Sequence, residues 1–93
     1  MSISFYDRKI ENMVNNNNYA RELYANVIWT ILEARNDGVN NAIVMFESTS
    51  ENLLFANLLM LSLESRGYIV DISIPDSYIK IMWNRLNLDL YGN

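Results

Sequence analysis

The sequence predicts an α+β fold, in which one or two N-terminal helices precede a strand, a helix and two further strands. Strand-like apolar runs occur at 42–47, 68–74 and 78–83. A strongly apolar helical segment joins the first run to the second, and a short turn joins the second to the third. Because such an order packs its helices on one side, we expect a small three-stranded sheet with helices on one face.

The first strand leads directly into a helix start. Both alternating faces of residues 42–47 are apolar, which predicts a strand covered on most of both sides. Ser48 then lies three residues before Glu51, the spacing of a capping box, in which each side chain satisfies a free backbone N–H. We therefore expect the helix to begin at Thr49 or Ser50.

The helix that follows should run to about Arg66 and stop at Gly67, because glycine readily adopts the left-handed conformation of a helix end. Apolar residues occupy most of its circumference and leave only a narrow polar stripe. A helix on the surface of a two-layer domain needs only one apolar stripe. This helix therefore needs cover on a second side, from another helix or from another copy of the chain.

A second copy is one source of that cover, and we predict a homodimer. Leu59 and Leu63, with Phe55 at their edge, lie opposite the side from Leu54 to Leu61, and we place them at the dimer contact if that opposite side faces the sheet. Exposed large side chains would forgo roughly 1.5–3 kcal/mol each relative to burial. The alternative is that residues 2–14 fold back and supply the cover.

Residues 68–83 predict an antiparallel hairpin. Alternation of apolar and polar residues over 68–74 indicates a strand with one exposed face, and Pro75-Asp76-Ser77 is a turn signal. In the last strand the inward residues are Ile79, Ile81 and Trp83, and the outward residues are Tyr78, Lys80 and Met82. Right-handed crossover leaves two strand orders open. The bulky inward face of the last strand favours its insertion between the other two.

The N-terminal region predicts two helical segments. Apolar residues recur at helical spacing within 2–14, and the run Asn15–Asn18 of weak helix formers favours a break or kink. Residues 19–36 form an amphipathic pattern that ends at Asp37-Gly38. Trp29 lies at the edge of the polar side of this helix, so either residues 2–14 cover it or it is offered to a partner.

Length and composition indicate one domain over residues 1–93, with a helical region at 2–36, a strand–helix–hairpin core at 42–83 and a tail at 84–93. About half of the 93 residues are apolar, and cysteine and histidine are both absent. No leader peptide or membrane-length apolar run is present, so we expect a cytoplasmic protein. The net charge of -4, with scattered basic residues, makes nucleic acid a poor partner.

No constellation of residues predicts catalysis. Glu47 with Glu51, and Asp71 with Asp76, are the candidate carboxylate pairs, but capping, turn and solvated roles explain them more simply. A helix start after a strand at Ser48 could bind an anion, yet capping explains it as well. Phosphate-loop motifs are absent. We therefore predict no enzyme activity, no catalytic residues, no metal and no cofactor.

The outward residues of the sheet instead predict an interaction surface. Ile43 and Met45 would share the open face with the outward side of the last strand, and together with the apolar helix they exceed what a small monomer exposes. The candidate interface residues are Trp29, Phe55, Leu59, Leu63, Tyr78, Lys80 and Met82. We expect a protein partner to bind there.

The segment from Ser50 to Trp83 combines a Ser-capped helix, Arg66-Gly67-Tyr68 leading into an apolar strand, and a closing strand that ends in tryptophan. In this order it resembles small accessory proteins of tailed bacteriophages. The asparagine- and isoleucine-rich composition also suits an AT-rich phage genome. The resemblance implies a non-enzymatic protein, made during infection, that binds a host or phage factor, with counter-defence as one role. The N-terminal region and residues 84–93 depart from that pattern.

Three functional hypotheses follow. The first is an interaction protein that occupies a surface of another macromolecule of the host or phage. The second is a small-ligand binder that sequesters a nucleotide-like molecule at a subunit interface, through a set of polar side chains: Ser48, Ser50, Arg66, Tyr78 and Lys80. The third is an acidic mimic of DNA, although basic residues are interspersed with the acidic ones.

Overall fold

The computed structural model describes residues 5–84, with only the backbone described at Phe5 and Tyr6. Its elements are α1 (Phe5–Asn16), α2 (Asn18–Asn36), β1 (Asn41–Met45), α3 (Ser50–Glu64), β2 (Ile69–Ser73) and β3 (Tyr78–Met82). The predicted α+β fold is confirmed. The predicted tail beyond residue 84 and the first residues of the predicted N-terminal helix, 2–4, lie outside the described residues.

The strands form one sheet in the order β1-β3-β2, and β3 is antiparallel to both neighbours. The predicted insertion of the last strand is therefore confirmed. Ile79 and Ile81 of β3 are almost fully buried, and Trp83 is buried just after the strand. Their bulk fills the centre of the interface between sheet and helices, which explains why this strand occupies the middle of the sheet.

The helices pack on one side of the sheet. α2 contacts β1, α3 contacts β2, and α1 packs against both α2 and α3. The buried apolar residues of the helices are Ile10, Ala20, Leu23, Val27, Ile31, Phe55, Ala56, Leu59 and Leu63. They meet the inward residues of the strands in one core.

Asn17 separates α1 from α2, which confirms the predicted break in the asparagine run. Its side-chain oxygen accepts hydrogen bonds from the N–H groups of Tyr19 (2.9 Å) and Ala20 (3.1 Å), so it caps α2. α2 ends at Asn36, as predicted. Gly38 follows with a φ of 76°, in the left-handed region that glycine adopts without strain.

The helix α3 begins at Ser50, within the predicted range, but the predicted capping box is wrong. The N-cap is Thr49, whose hydroxyl accepts a hydrogen bond from Asn52 N–H at 3.2 Å. Ser48 instead lies 2.9 Å from the hydroxyl of Ser77 in the turn between β2 and β3. The helix ends at Glu64, earlier than predicted.

The prediction that β1 is covered on most of both sides is also wrong. Ala42 and Val44 are buried against the helices, whereas Ile43 and Met45 are exposed on the opposite face. Apolar residues occupy both the inward and the outward positions of this strand, so the sequence pattern does not show which face is exposed. Only one of the two faces is covered within residues 5–84.

Candidate interaction surface

The face of the sheet opposite the helices forms a surface that no described element covers. The paired residues follow from the register of the two strand pairs. Across the sheet, the outward rows are Asn41–Met82–Ile69, Ile43–Lys80–Asp71 and Met45–Tyr78–Ser73. We name these nine residues the open face.

The outer strands of the open face present its most exposed apolar side chains. Ile43 is 51% exposed, Met45 64% and Ile69 62%. Lys80 and Met82 of the central strand are half-buried between them. At this end of the sheet, Ile43, Ile69, Lys80 and Met82 line a shallow depression of about 380 Å³. A partner side chain could therefore insert between the two outer strands.

One positive and one negative charge lie at the middle of the open face. Lys80 is the register partner of Asp71 on one side and of Ile43 on the other. Within residues 5–84 neither Lys80 nor Asp71 forms an ion pair or a side-chain hydrogen bond. The ammonium and carboxylate groups are therefore available to opposite charges on a bound molecule.

Three predicted interface residues, Tyr78, Lys80 and Met82, lie together on the open face. All three are half-buried, because their neighbours on both outer strands flank them. The predicted interface omitted the more exposed Ile69, although the alternation of β2 had placed it outward. Its position opposite Met82 depends on the strand order, which is why sequence reasoning missed it.

Three other predicted interface residues, Phe55, Leu59 and Leu63, are buried in the core of the single chain. The assumption that the side from Leu54 to Leu61 faces the sheet is wrong, since Leu54 is 57% exposed and Leu59 only 2%. Part of the cover for α3 comes from α1, the alternative source that the sequence left open. Dimer formation itself remains a prediction, but these three side chains are not available to form the contact.

Two polar residues also lie on the buried side of α3. Asn52 donates a hydrogen bond from its amide to Glu47 O at 2.9 Å, and Ser62 donates to the Asp7 carboxylate. Both therefore belong to the core side although their side chains are polar.

Trp29 is 64% exposed on α2, on the side opposite the buried residues Val27 and Ile31. The described part of α1 does not cover it. Because the open face lies across the sheet from the helices, Trp29 and the open face are two separate candidate surfaces.

The residues proposed to hold a nucleotide-like ligand are not brought together. Ser48 and Ser50 lie at the start of α3, whereas Arg66 follows its other end. Tyr78 and Lys80 point to the opposite side of the sheet from α3. No single cleft of the described structure holds all five.

Arg66 instead fastens α1 to α3. Its guanidinium forms a two-point ion pair with the Asp7 carboxylate (2.8 and 3.2 Å), and Ser62 bonds to both groups. The hydrogen bond to Asp7 raises the pKa of Arg66 above its ordinary value, although partial burial lowers it. The adjoining cavity of about 30 Å³ has room for little more than a water molecule.

The four acidic residues of the candidate carboxylate pairs lie at the hairpin turn, on the open face and at the junction of β1 and α3. Asp76 accepts a hydrogen bond from the Ser73 hydroxyl (3.2 Å) inside the hairpin turn, and Asp71 lies on the open face. Glu47 and Glu51 are both exposed at the junction of β1 and α3. Within residues 5–84, no group of three or more acidic residues is placed to hold a metal ion.

Comparison with protein-family models, with curated proteins and with solved structures finds no match for this chain. None of the helices in residues 5–84 has the length and apolar character needed to cross a lipid bilayer. The candidate surface therefore rests on the geometry of this chain alone.

Proposed function

We propose that this protein is a non-enzymatic interaction protein that occupies a surface of another macromolecule, and that the open face is its docking surface. One observation supports the proposal above others. Three large apolar side chains, Ile43, Met45 and Ile69, are each more than half exposed on one face of a small sheet. Contiguous apolar surface of this kind on a small domain is typical of an interaction site.

Covering this face contributes favourable free energy to binding. Fully burying an isoleucine or methionine side chain contributes about 1.5–3 kcal/mol. Ile43 and Ile69 line a depression together with Lys80, so an apolar anchor of the partner could insert beside a charged group. Such an arrangement combines apolar contact at the centre with a polar group that selects the partner.

On the resemblance to phage accessory proteins, the partner we propose is a host or phage protein in an infected bacterium. Counter-defence is one role that such an interaction could fill. The cytoplasm of the host is then the proposed location. No geometric feature of residues 5–84 favours the ligand-sequestering alternative, because its five residues are dispersed.

Affinity capture from bacterial lysate with three baits tests the proposal. The baits are the wild type, Ile69→Lys on the open face and Trp29→Ala on the helical side. Both substituted residues are strongly exposed, so both variants should fold. We expect a specific protein to be retained by the wild type and Trp29→Ala but lost with Ile69→Lys.

Two results would contradict this assignment. Loss of the partner with Trp29→Ala and retention with Ile69→Lys would move the docking surface to α2. Failure of the wild type to retain any specific protein would count against the interaction function itself. Circular dichroism of all three baits checks that a lost partner does not reflect lost folding.

A further inference from the structure

The backbone pairing of β1 leaves one of its edges unbonded. Trp83 N–H donates to Asn40 O (3.1 Å), and Phe46 N–H donates to Ser77 O (3.0 Å). Hydrogen-bonding residues alternate along an antiparallel strand, so the even-numbered residues from 40 to 46 bond to β3. The three odd-numbered residues between them direct their N–H and C=O groups away from β3.

These three residues, Asn41, Ile43 and Met45, form what we name the β1 edge. Among residues 5–84, none of their backbone N–H and C=O groups has a hydrogen-bond partner. The next odd residue, Glu47, is different. Its N–H donates to the Tyr19 hydroxyl (2.6 Å) and its C=O accepts from the Asn52 amide. Side chains therefore satisfy the strand beyond Met45 but not the β1 edge itself.

The other edge of the sheet is covered. In β2 the residues that direct their backbone groups outward are Val70 and Ile72, because Ile69, Asp71 and Ser73 pair with β3. Val70 is only 9% exposed as a whole residue, and α3 packs against this strand. The residues of the β1 edge, by contrast, are all exposed.

The β1 edge also lacks the usual protections against pairing with another chain. Exposed edge strands are commonly blocked by a charged residue, a proline or a bulge. The strand Asn41–Met45 has no charge and no proline, and its register with β3 is unbroken over all five residues. β2 has Asp71 within the strand and Pro75 shortly after it.

We propose that the β1 edge pairs with the β1 edge of a second copy of this chain, antiparallel about a two-fold axis at Ile43. Ile43 then lies opposite its own counterpart, and Asn41 lies opposite Met45. In this register every outward N–H meets an outward C=O, since all the paired residues are odd-numbered. The two sheets become one six-stranded sheet, in which both open faces lie on the same side.

Charge distribution favours a second copy joined through this edge. Each chain has a net charge of -4, so two copies repel unless they meet at an uncharged region. The stretch from Gly38 to Phe46, which contains β1, has no charged residue. An antiparallel pair of β2 strands about their midpoint would instead set two Asp71 carboxylates directly opposite each other. Pairing of like edges also closes the assembly as a dimer.

Sedimentation equilibrium measures the mass of the particle directly, independently of its shape. We expect the wild type to sediment at twice the 10.8 kDa of one chain. Ile43→Lys should sediment as a monomer, because it sets two like charges together at the axis. Ile69→Lys makes the same change on the open face but away from the β1 edge, and it should remain a dimer. A monomeric wild type would overturn the proposal and leave the edge available to an extended segment of another protein.

Cysteine cross-linking tests the register. The chain has no cysteine, so Ile43→Cys introduces one thiol per copy. Hydrogen-bonded partners have Cα atoms about 5.5 Å apart, within the span of a disulfide. Met45→Cys is the matched control, because its Cα would lie about 14 Å from its counterpart, four residues along the strand. We expect a disulfide-linked dimer at position 43 alone.

Equal cross-linking at the two positions, or none at position 43, would overturn this register even if the protein is a dimer. A mass that falls with Ile69→Lys rather than with Ile43→Lys would place the contact on the open face instead. These measurements use no other protein. They can therefore fail while the proposed docking of a partner holds, and the reverse is equally possible.

Discussion

The two faces of the sheet are built from the same strands, but the helices pack on only one of them. In β1, Ala42 and Val44 point into the core while Ile43 and Met45 point outward, and all four are apolar. The covered face holds the fold together, because α2 and α3 pack on it. Apolar residues on the open face are not needed for that purpose. This difference is the basis of the proposal that the open face serves recognition.

Substitution of one isoleucine on each face should give the largest difference. Ile81 is fully buried on the covered face and Ile69 is 62% exposed on the open face. Ile81→Ala removes buried volume and should lower the free energy of unfolding by about 2–5 kcal/mol. Ile69→Ala should change it by no more than about 0.5 kcal/mol. Urea denaturation measures both, and equal losses would show that the open face is covered after all.

The ion pair between α1 and α3 should have an intermediate effect, because it links α1 to the helix that packs on β2. Asp7→Ala leaves the partly buried Arg66 without its carboxylate and should cost about 1–3 kcal/mol in urea denaturation. Glu11→Ala, one turn later on the exposed side of α1, is the matched control. A loss no larger than that of the control would mean that α1 is fastened by apolar contacts alone.

As pH rises from neutrality, the contribution of this ion pair to stability should stay constant until the Arg66 guanidinium loses its proton. The raised pKa of Arg66 means that its contribution to stability is complete below the ordinary arginine pKa and is lost only as pH rises through the higher folded value. We therefore expect the difference between the wild type and Asp7→Ala to stay constant from neutral pH to about pH 10. A difference that shrinks over this range would contradict the assignment.

Lys80 should have the smallest effect on stability. It lies at the centre of the open face without an ion pair among residues 5–84. Lys80→Gln should therefore change the free energy of unfolding by less than about 0.5 kcal/mol. A larger loss would mean that this side chain supports the fold, and would weaken the distinction between the faces.

Most of the fold could be predicted from the sequence, because the helix break depends on neighbouring residues and the strand order on the size of the inward side chains. Asn17 capped α2 at the asparagine run, and the bulky inward side of β3 indicated its central position. The orientation of α3 was predicted wrongly, although its exposed polar stripe of Ser50, Asn57 and Glu64 lies opposite the buried side and indicated which side faces solvent. The two polar residues on the buried side of α3 are satisfied there, Asn52 by the nearby Glu47 carbonyl and Ser62 by the Asp7 carboxylate of α1.

The candidate surface could be predicted only in part, because part of it depends on how the strands pair. Alternation placed Tyr78, Lys80 and Met82 outward, and all three lie on the open face. The neighbours that complete this surface belong to other strands, so they are defined by register and strand order rather than by local pattern. The unbonded β1 edge likewise depends on which residues bond to β3.

Oxidative footprinting of methionine tests the central claim most directly, since the chain has reporters on both sides. Met45 and Met82 lie on the open face, whereas Met13 and Met60 pack at the helical side. In the complex isolated with the wild-type bait, we expect oxidation of Met45 and Met82 to fall relative to the free protein, while Met13 and Met60 stay unchanged. Protection of Met13 and Met60, with Met45 and Met82 still oxidised, would contradict the account.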